Sequence, residues 1–172
     1  MNKIIISLLL LLASISFSQV NTVYHDGTDC NCDTILQVYD DNGKLSSEIP
    51  LVNDQMNGVA KRYYESGSIQ LETPYINGKI NGVEKLYYES GSIEAEIPLV
   101  NNKWNGVEKL YYESGSIEAE IPYVNGKQNG VKTNYREDGS LVSSAKYKNG
   151  VLDGYKHCSD GRIGNESLNC RN

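Results

Sequence analysis

Histidine and cysteine, the side chains that most often do chemistry, lie only towards the two ends of this chain. His25, Cys30 and Cys32 come early, and His157, Cys158 and Cys170 come late. A hydrolytic triad needs a nucleophile, a base and an orienting group within hydrogen-bond reach, and neither histidine sits in a spacing that argues one. A zinc site built on His25 or His157 has too few ligands and no recognisable interval between them. The run Asp29-Cys30-Asn31-Cys32-Asp33 spaces its acidic groups like a calcium loop, with Asp40 in the twelfth place. Its sixth place is Thr34, where the sharp turn of such a loop needs glycine, so it reads as a polar lead-in to a strand. Every glycine is assigned to a turn, which leaves no phosphate-cradling loop. The carboxylates recur periodically opposite lysines and read as a solvated, charge-paired face. The expectation is a non-enzyme with no metal and no cofactor.

The cysteines then read as disulfides, because the chain starts like an exported protein. Lys3 precedes an apolar run from Ile4 to Leu12 broken only by Ser7, and Ser16 and Ser18 occupy the positions a signal peptidase reads, so cleavage falls before Gln19. The apolar stretch is shorter than the roughly 20 residues that span a bilayer, so no stable membrane insertion is expected once residues 1–18 are removed. Net charge is −6, which disfavours nucleic acid and anionic lipid. Cys158 and Cys170 form the natural pair, while Cys30 and Cys32 form a tight local ring or stay free. A bridge between the two ends is excluded if the intervening chain is extended over roughly 48 Å, against the roughly 7 Å a disulfide tolerates.

The elements between those ends repeat. Asn57-Gly58, Asn81-Gly82, Asn105-Gly106, Asn129-Gly130 and Asp153-Gly154 follow one another at a step of 24 residues. Gly43, Gly67, Gly91, Gly115 and Gly139 keep the same step, as do Tyr39, Tyr63, Tyr87, Tyr111 and Tyr135. A fixed short period marks an array whose units bury apolar surface against their neighbours. Within one unit, residues 83–88 and 93–100 alternate apolar and polar with period two, which is the pattern of half-buried strands. Ser90-Gly91 and Asn101-Asn102 punctuate them. Asn42-Gly43, Asp138-Gly139, Asn77-Gly78, Asn125-Gly126 and Asn149-Gly150 are the equivalent pairs, all suited to type I′ turns.

A two-residue turn at Ser90-Gly91 predicts Tyr88 opposite Ile93, Tyr87 opposite Glu94, Leu86 opposite Ala95 and Lys85 opposite Glu96. One face then carries Leu86, Tyr88, Ile93, Ala95, Ile97 and Leu99, and the other carries Lys85, Tyr87, Glu94 and Glu96. Opposite charges meet at Lys61–Glu72, Lys85–Glu96 and Lys109–Glu120, contributing a few tenths of a kcal/mol to about 1 kcal/mol each. Pro50, Pro74, Pro98 and Pro122 lack the N–H of a central ladder, so the second strand is expected to pair well only as far as Ile97 and its equivalents. Tyr63, Tyr87, Tyr111 and Tyr135 form an exposed row, either a partner-binding surface or a stack that stiffens the sheet.

In Gly82, Tyr87, Tyr88, Glu89, Gly91, Ile93, Asn101, Asn105 and Gly106, echoed over residues 33–154, the chain resembles the MORN-type repeat family, in the bacterial variant often labelled antitoxin-like. The resemblance implies an all-β fold, an elongated antiparallel sheet of stacked hairpins. It also implies roles in membrane attachment, protein scaffolding or toxin neutralisation. The closely spaced Gly-x-Gly and second-strand tryptophan of the eukaryotic repeats do not recur here, which argues against lipid binding. The expected organisation is a signal peptide at 1–18 and a lead-in at 19–32. Five repeats follow over 33–152, then a partial repeat with a cysteine-bearing cap at 153–172. The expected function is an exported bacterial protein (periplasmic, cell-surface or secreted) that binds a protein partner without catalysis. An antitoxin or immunity role against a basic partner, and membrane-surface attachment, are the alternatives.

Overall fold

In a computed structural model of the chain, residues 19–24 and 34–170 are described. Residues 1–18, read above as a signal peptide, His25, and the Asp29 to Asp33 run with Cys30 and Cys32 lie outside the described residues. The chain divides into two compact units, Met1–Lys79 and Ile80–Asn172. The first holds β1 (Gln19–Tyr24), β2 (Thr34–Tyr39), β3 (Leu45–Val52), β4 (Gln55–Met56), β5 (Gly58–Tyr63) and β6 (Ile69–Ile76). The short β7 (Lys79–Ile80) falls at the division. The second holds β8 (Gly82–Tyr87), β9 (Ile93–Val100), β10 (Lys103–Trp104), β11 (Gly106–Tyr111), β12 (Ile117–Val124) and β13 (Lys127–Gln128). It continues with β14 (Gly130–Tyr135), β15 (Leu141–Lys148), β16 (Val151–Cys158) and β17 (Ile163–Gly164). Each unit is an antiparallel stack of hairpins in which a strand pairs with those before and after it. The all-β, stacked-hairpin class is therefore observed.

The two turns of each repeat are built differently. The connection between hairpins is a type I′ turn: Asn101 and Asn102 have φ of 50° and 64°, and Asn125 and Gly126 have 51° and 81°. Asparagine and glycine are the residues that tolerate this backbone, so the sequence signal was sound. The turn within a hairpin is not the expected two-residue loop. Gly91 N–H donates to the Tyr88 carbonyl and Tyr88 N–H to the Ser92 carbonyl, which closes a loop of Glu89, Ser90 and Gly91. Gly91 takes the left-handed position at its end, with φ of 91°, and Gly43, Gly67, Gly115 and Gly139 do the same.

This loop shifts the register, and a bulge restores it. Tyr87 pairs with Ile93, not Glu94, and an irregularity follows between Leu86 and Tyr87. Tyr88, expected opposite Ile93, pairs with Ser92 instead. Leu86 then meets Ala95 and Lys85 meets Glu96, as the sequence predicts. Lys61–Glu72 and Lys109–Glu120 are likewise opposed.

The prolines do not end the pairing. Gly82 pairs with Leu99 and Val83 with Pro98, and β10 pairs back on Leu99 and Val100. Pro98 keeps a partner through its carbonyl, which accepts the Asn105 N–H at 2.9 Å. The glycine that follows makes room for the ring, since a Cβ on Gly106 would lie 2.7 Å from Pro98 Cγ. Gly58 and Gly130 stand in the same relation to Pro50 and Pro122. These glycines begin strands beside proline rings and do not sit at turn centres, which corrects the assignment of every glycine to a turn.

One face of each unit is the core. Leu36, Val38 and Ile49 form it in the first, with Leu51 and Met56 against them. Ala95, Ile97 and Leu99 form it in the second, backed by Ile80, Leu86 and Leu110. Burying a side chain such as Ile97 contributes about 1.5–3 kcal/mol, several times a cross-strand ion pair. The apolar rail holds the hairpins together, and the charged rows tune their register. A separate cluster of Val142, Cys158, Cys170 and Leu168 closes the C-terminal end of the second unit. It contains the Cys158–Cys170 disulfide, 12 residues apart in sequence.

Candidate interaction surface

Strand alternation sends Lys85 and Tyr87 to the face opposite Leu86, and the register extends each position into a row. In the second unit Lys85, Glu96, Lys109, Glu120 and Thr133 face one another in succession across five strands. In the first unit the row is Gln37, Glu48, Lys61 and Glu72. Lys61 and Lys109 are thus each flanked by two glutamates, one from each neighbouring strand. The sequence showed only one of these, because the second depends on how consecutive hairpins register.

The tyrosine row is half-buried, not exposed, and its hydroxyls are engaged within the sheet. Tyr63 donates to Glu48 at 2.7 Å, Tyr111 to Glu96 at 2.9 Å and Tyr135 to Glu120 at 3.2 Å. Tyr39, at the start of the array, donates to Gln37 at 2.9 Å, and Tyr87 is not free either. In the three glutamate contacts the phenol of one hairpin reaches back to the second strand of the hairpin before it. A second ladder, missed in the sequence, reaches forward: Tyr88 donates to the Tyr111 carbonyl at 2.7 Å and Tyr112 to the Tyr135 carbonyl at 2.9 Å. Consecutive hairpins are stapled in both directions.

Electrostatics follow from these contacts. Hydrogen bonds from Tyr63 and Gln37 hold the Glu48 carboxyl below its ordinary value, and Lys61 adds to them against the opposing effect of burial. Burial first, then the bond to Glu96 and its charge, push the Tyr111 phenol up to about 12. Tyr63 and Tyr135 are raised for the same reasons. A group whose folded-state pKa is raised adds stability that is complete below its ordinary value of 10.0 and is lost as pH climbs through the raised one. Tyr111→Phe should lower stability by about 1 kcal/mol at neutral pH, the contribution of one hydrogen bond. It should also flatten the loss of stability between pH 10.0 and about 12. Urea melts of both proteins across that range check this; identical alkaline slopes would mean the phenol is not a staple.

Beside the tyrosines, the same face leaves apolar groups in water. Val83, Val107 and Val131 are 45, 45 and 52 % exposed. Pro98 and Pro122 stand opposite the first two. Val100 and Val124 extend the stripe, and Val59 and Ile76 are their exposed counterparts in the first unit. Period-two parity with Lys85 and Tyr87 was the signal that could have found them. On the inward face the surprise is Glu108, 7 % exposed and opposite Ile121. Burial raises its carboxyl, opposed by a hydrogen bond with Tyr123 and by the charge of Lys132. Among the described residues no group of three or more His, Cys, Asp or Glu is placed to hold a metal, and no helix is long and apolar enough to cross a membrane.

No curated protein matches the chain. The family profile of the MORN repeat variant matches it in four consecutive copies, at residues 33–53, 56–77, 80–101 and 104–125. Those copies take in the hairpins from β2 to β12. The β14–β15 hairpin lies beyond them and keeps the same bulged register, with Tyr135 opposite Leu141. The matched stretches make up just over half of the chain, and the stapled, glycine-turned hairpins just described are the units they select: the chain belongs to the MORN repeat variant family.

Proposed function

We infer that this is an exported, non-catalytic repeat protein that binds another protein through the outward face of its stacked hairpins. The observation that carries the reading is the recurring stripe of exposed valines, with Val59, Val83 and Val107 each opposite a proline. Contiguous apolar surface rimmed by charge marks an interaction site more often than isolated exposed residues do. The stapled tyrosines and the Glu–Lys rows beside it hold the stripe rigid, which lowers the ordering cost of binding. Residues 81–98 and 105–122 are identical, and copying of that kind suits an additive contact surface better than a catalytic site. The Cys158–Cys170 disulfide suits an oxidising compartment, in keeping with export.

The test is a triple substitution, Val83→Lys, Val107→Lys and Val131→Lys. These side chains are half exposed, so melting should change by no more than about 0.5 kcal/mol per site. Affinity purification followed by mass spectrometry should lose the partner that the unmodified protein retains. A partner held equally well by both proteins would refute the reading. Replacing Tyr87 and Tyr111 by serine is a poorer test, because it also removes the Tyr111 staple to Glu96.

A further inference from the structure

We propose that the C-terminal end of the second unit carries a binding pocket for a small carboxylate bearing a neighbouring hydroxyl or amino group. The pocket arises where the repeat departs from its own pattern. On the inward face, position 97 or 121 of earlier hairpins is isoleucine, set between flanking residues of the adjacent strands. Ile97 stands opposite Glu84, and Ile121 opposite Glu108. In the last hairpin that place is Ala145, and it is flanked on one side by Lys132 and on the other by Lys156. Two strand spacings separate the lysine backbones by about 10 Å, with only a methyl group between them.

The next position changes in the same sense. Leu86 and Leu110 give way to Asn134, and Ala95 and Ala119 to Ser143, which is buried at 2 % exposure. The result is a polar recess of about 250 Å³ where the two preceding hairpins set Leu86 and Ile97, then Leu110 and Ile121. Its roof is the segment closed by the disulfide. Glu166 accepts the Tyr147 hydroxyl at 3.1 Å, and Lys156 Nζ donates to the Leu168 carbonyl at 2.8 Å.

The donor inventory names the ligand. Lys156 spends one of three N–H donors on Leu168, and Asn134 spends one of two on Ser143 Oγ at 2.9 Å. Lys132, the remaining donors of Lys156 and Asn134, and the Ser143 hydroxyl therefore line the same space. They suit an anionic group. Among the described residues Glu166 is the one carboxylate lining the recess, so it suits a hydroxyl or ammonium on the same molecule and disfavours a dianion. Lys132 is also felt by Glu108, which does not line the recess.

The experiment is amide chemical-shift titration of the full-length protein with glycine, L-lactate, glycinamide and inorganic phosphate. Glycine and lactate should move the Ser143, Ala145 and Lys156 amides with a Kd of about 1 mM, and glycinamide should not. Ala145→Ile restores the side chain of the two preceding repeats, Ile97 and Ile121, and should abolish the shifts without lowering the melting temperature. Lys132→Met should weaken them roughly tenfold. Carboxylates that leave those amides unmoved would overturn the proposal. So would glycinamide binding equally, phosphate binding alone, or shifts that survive Ala145→Ile. The outcome does not depend on the outward valines, so the two sites succeed or fail separately.

Discussion

Gly106→Ala is expected to destabilise the protein by about 4 kcal/mol. Two costs add at this position. The backbone has φ of 129°, a region that is essentially glycine's own and costs about 1–3 kcal/mol for any other residue. The new Cβ would also meet Pro98 Cγ at 2.7 Å and Cβ at 3.0 Å, and overpacking of that kind costs about 1–3 kcal/mol. In thermal melts the pair should appear as a fall of about 8–16 °C, at 2–4 °C per kcal/mol for a chain of this size. Gly115→Ala is the control: its φ is 89° with nothing within 4 Å of the new atom, so only the left-handed penalty of about 1–2 kcal/mol applies. Pro98→Ala in the Gly106→Ala background should recover the packing share, as a coupling energy in a double-mutant cycle. Equal melting of Gly106→Ala and Gly115→Ala would show that the proline ring does not constrain the next hairpin.

This pairing of Pro98 with Gly106 also shows where sequence reading reaches its limit. The step of 24 residues, the Asn-Gly and Asn-Asn turns and the body register at Lys85–Glu96 were legible, because each follows from local backbone chemistry or side-chain parity. The Ser90-Gly91 turn was ambiguous: a two-residue loop and a three-residue loop both place glycine in a left-handed position. Only the compensating bulge beside Tyr87 makes the second compatible with Leu86 facing Ala95. Proline was read as a strand terminator because its missing N–H is a local fact, whereas the glycine that shelters it belongs to the next hairpin. The acceptors of the tyrosines were hidden for the same reason. Glu96 meets Tyr111 only once β9 and β11 are aligned. Lys132 and Lys156 are individually unremarkable surface residues in the sequence, and it takes the register through Ala145 to bring them to one recess.

Opening the Cys158–Cys170 disulfide should loosen the C-terminal end of the second unit and leave β9 to β12 as they are. Closing a loop with this 12-residue separation restricts the unfolded chain by about 3 kcal/mol. Both sulfurs also belong to a buried cluster with Val142, at 7 and 4 % exposure. Stability in a repeat array is close to a sum of local and nearest-neighbour contributions, so the loss should stay near the cap. Hydrogen exchange in Cys158→Ser/Cys170→Ser protein should therefore quicken at the β15, β16 and β17 amides, with Ala95, Ile97 and Ala119 still protected. The hydrogen bonds from Tyr147 to Glu166 and from Lys156 to Leu168 would still tie those strands to the roof, beside the β16–β17 pairing and the packing of Leu168. Two side-chain bonds at about 1 kcal/mol each offset little of the ordering entropy of the segment between the cysteines, so carboxylate binding in the recess should weaken as the roof loosens. Unchanged exchange across β15 to β17 would mean that these polar contacts and the packing of Leu168 fix the segment without the covalent link.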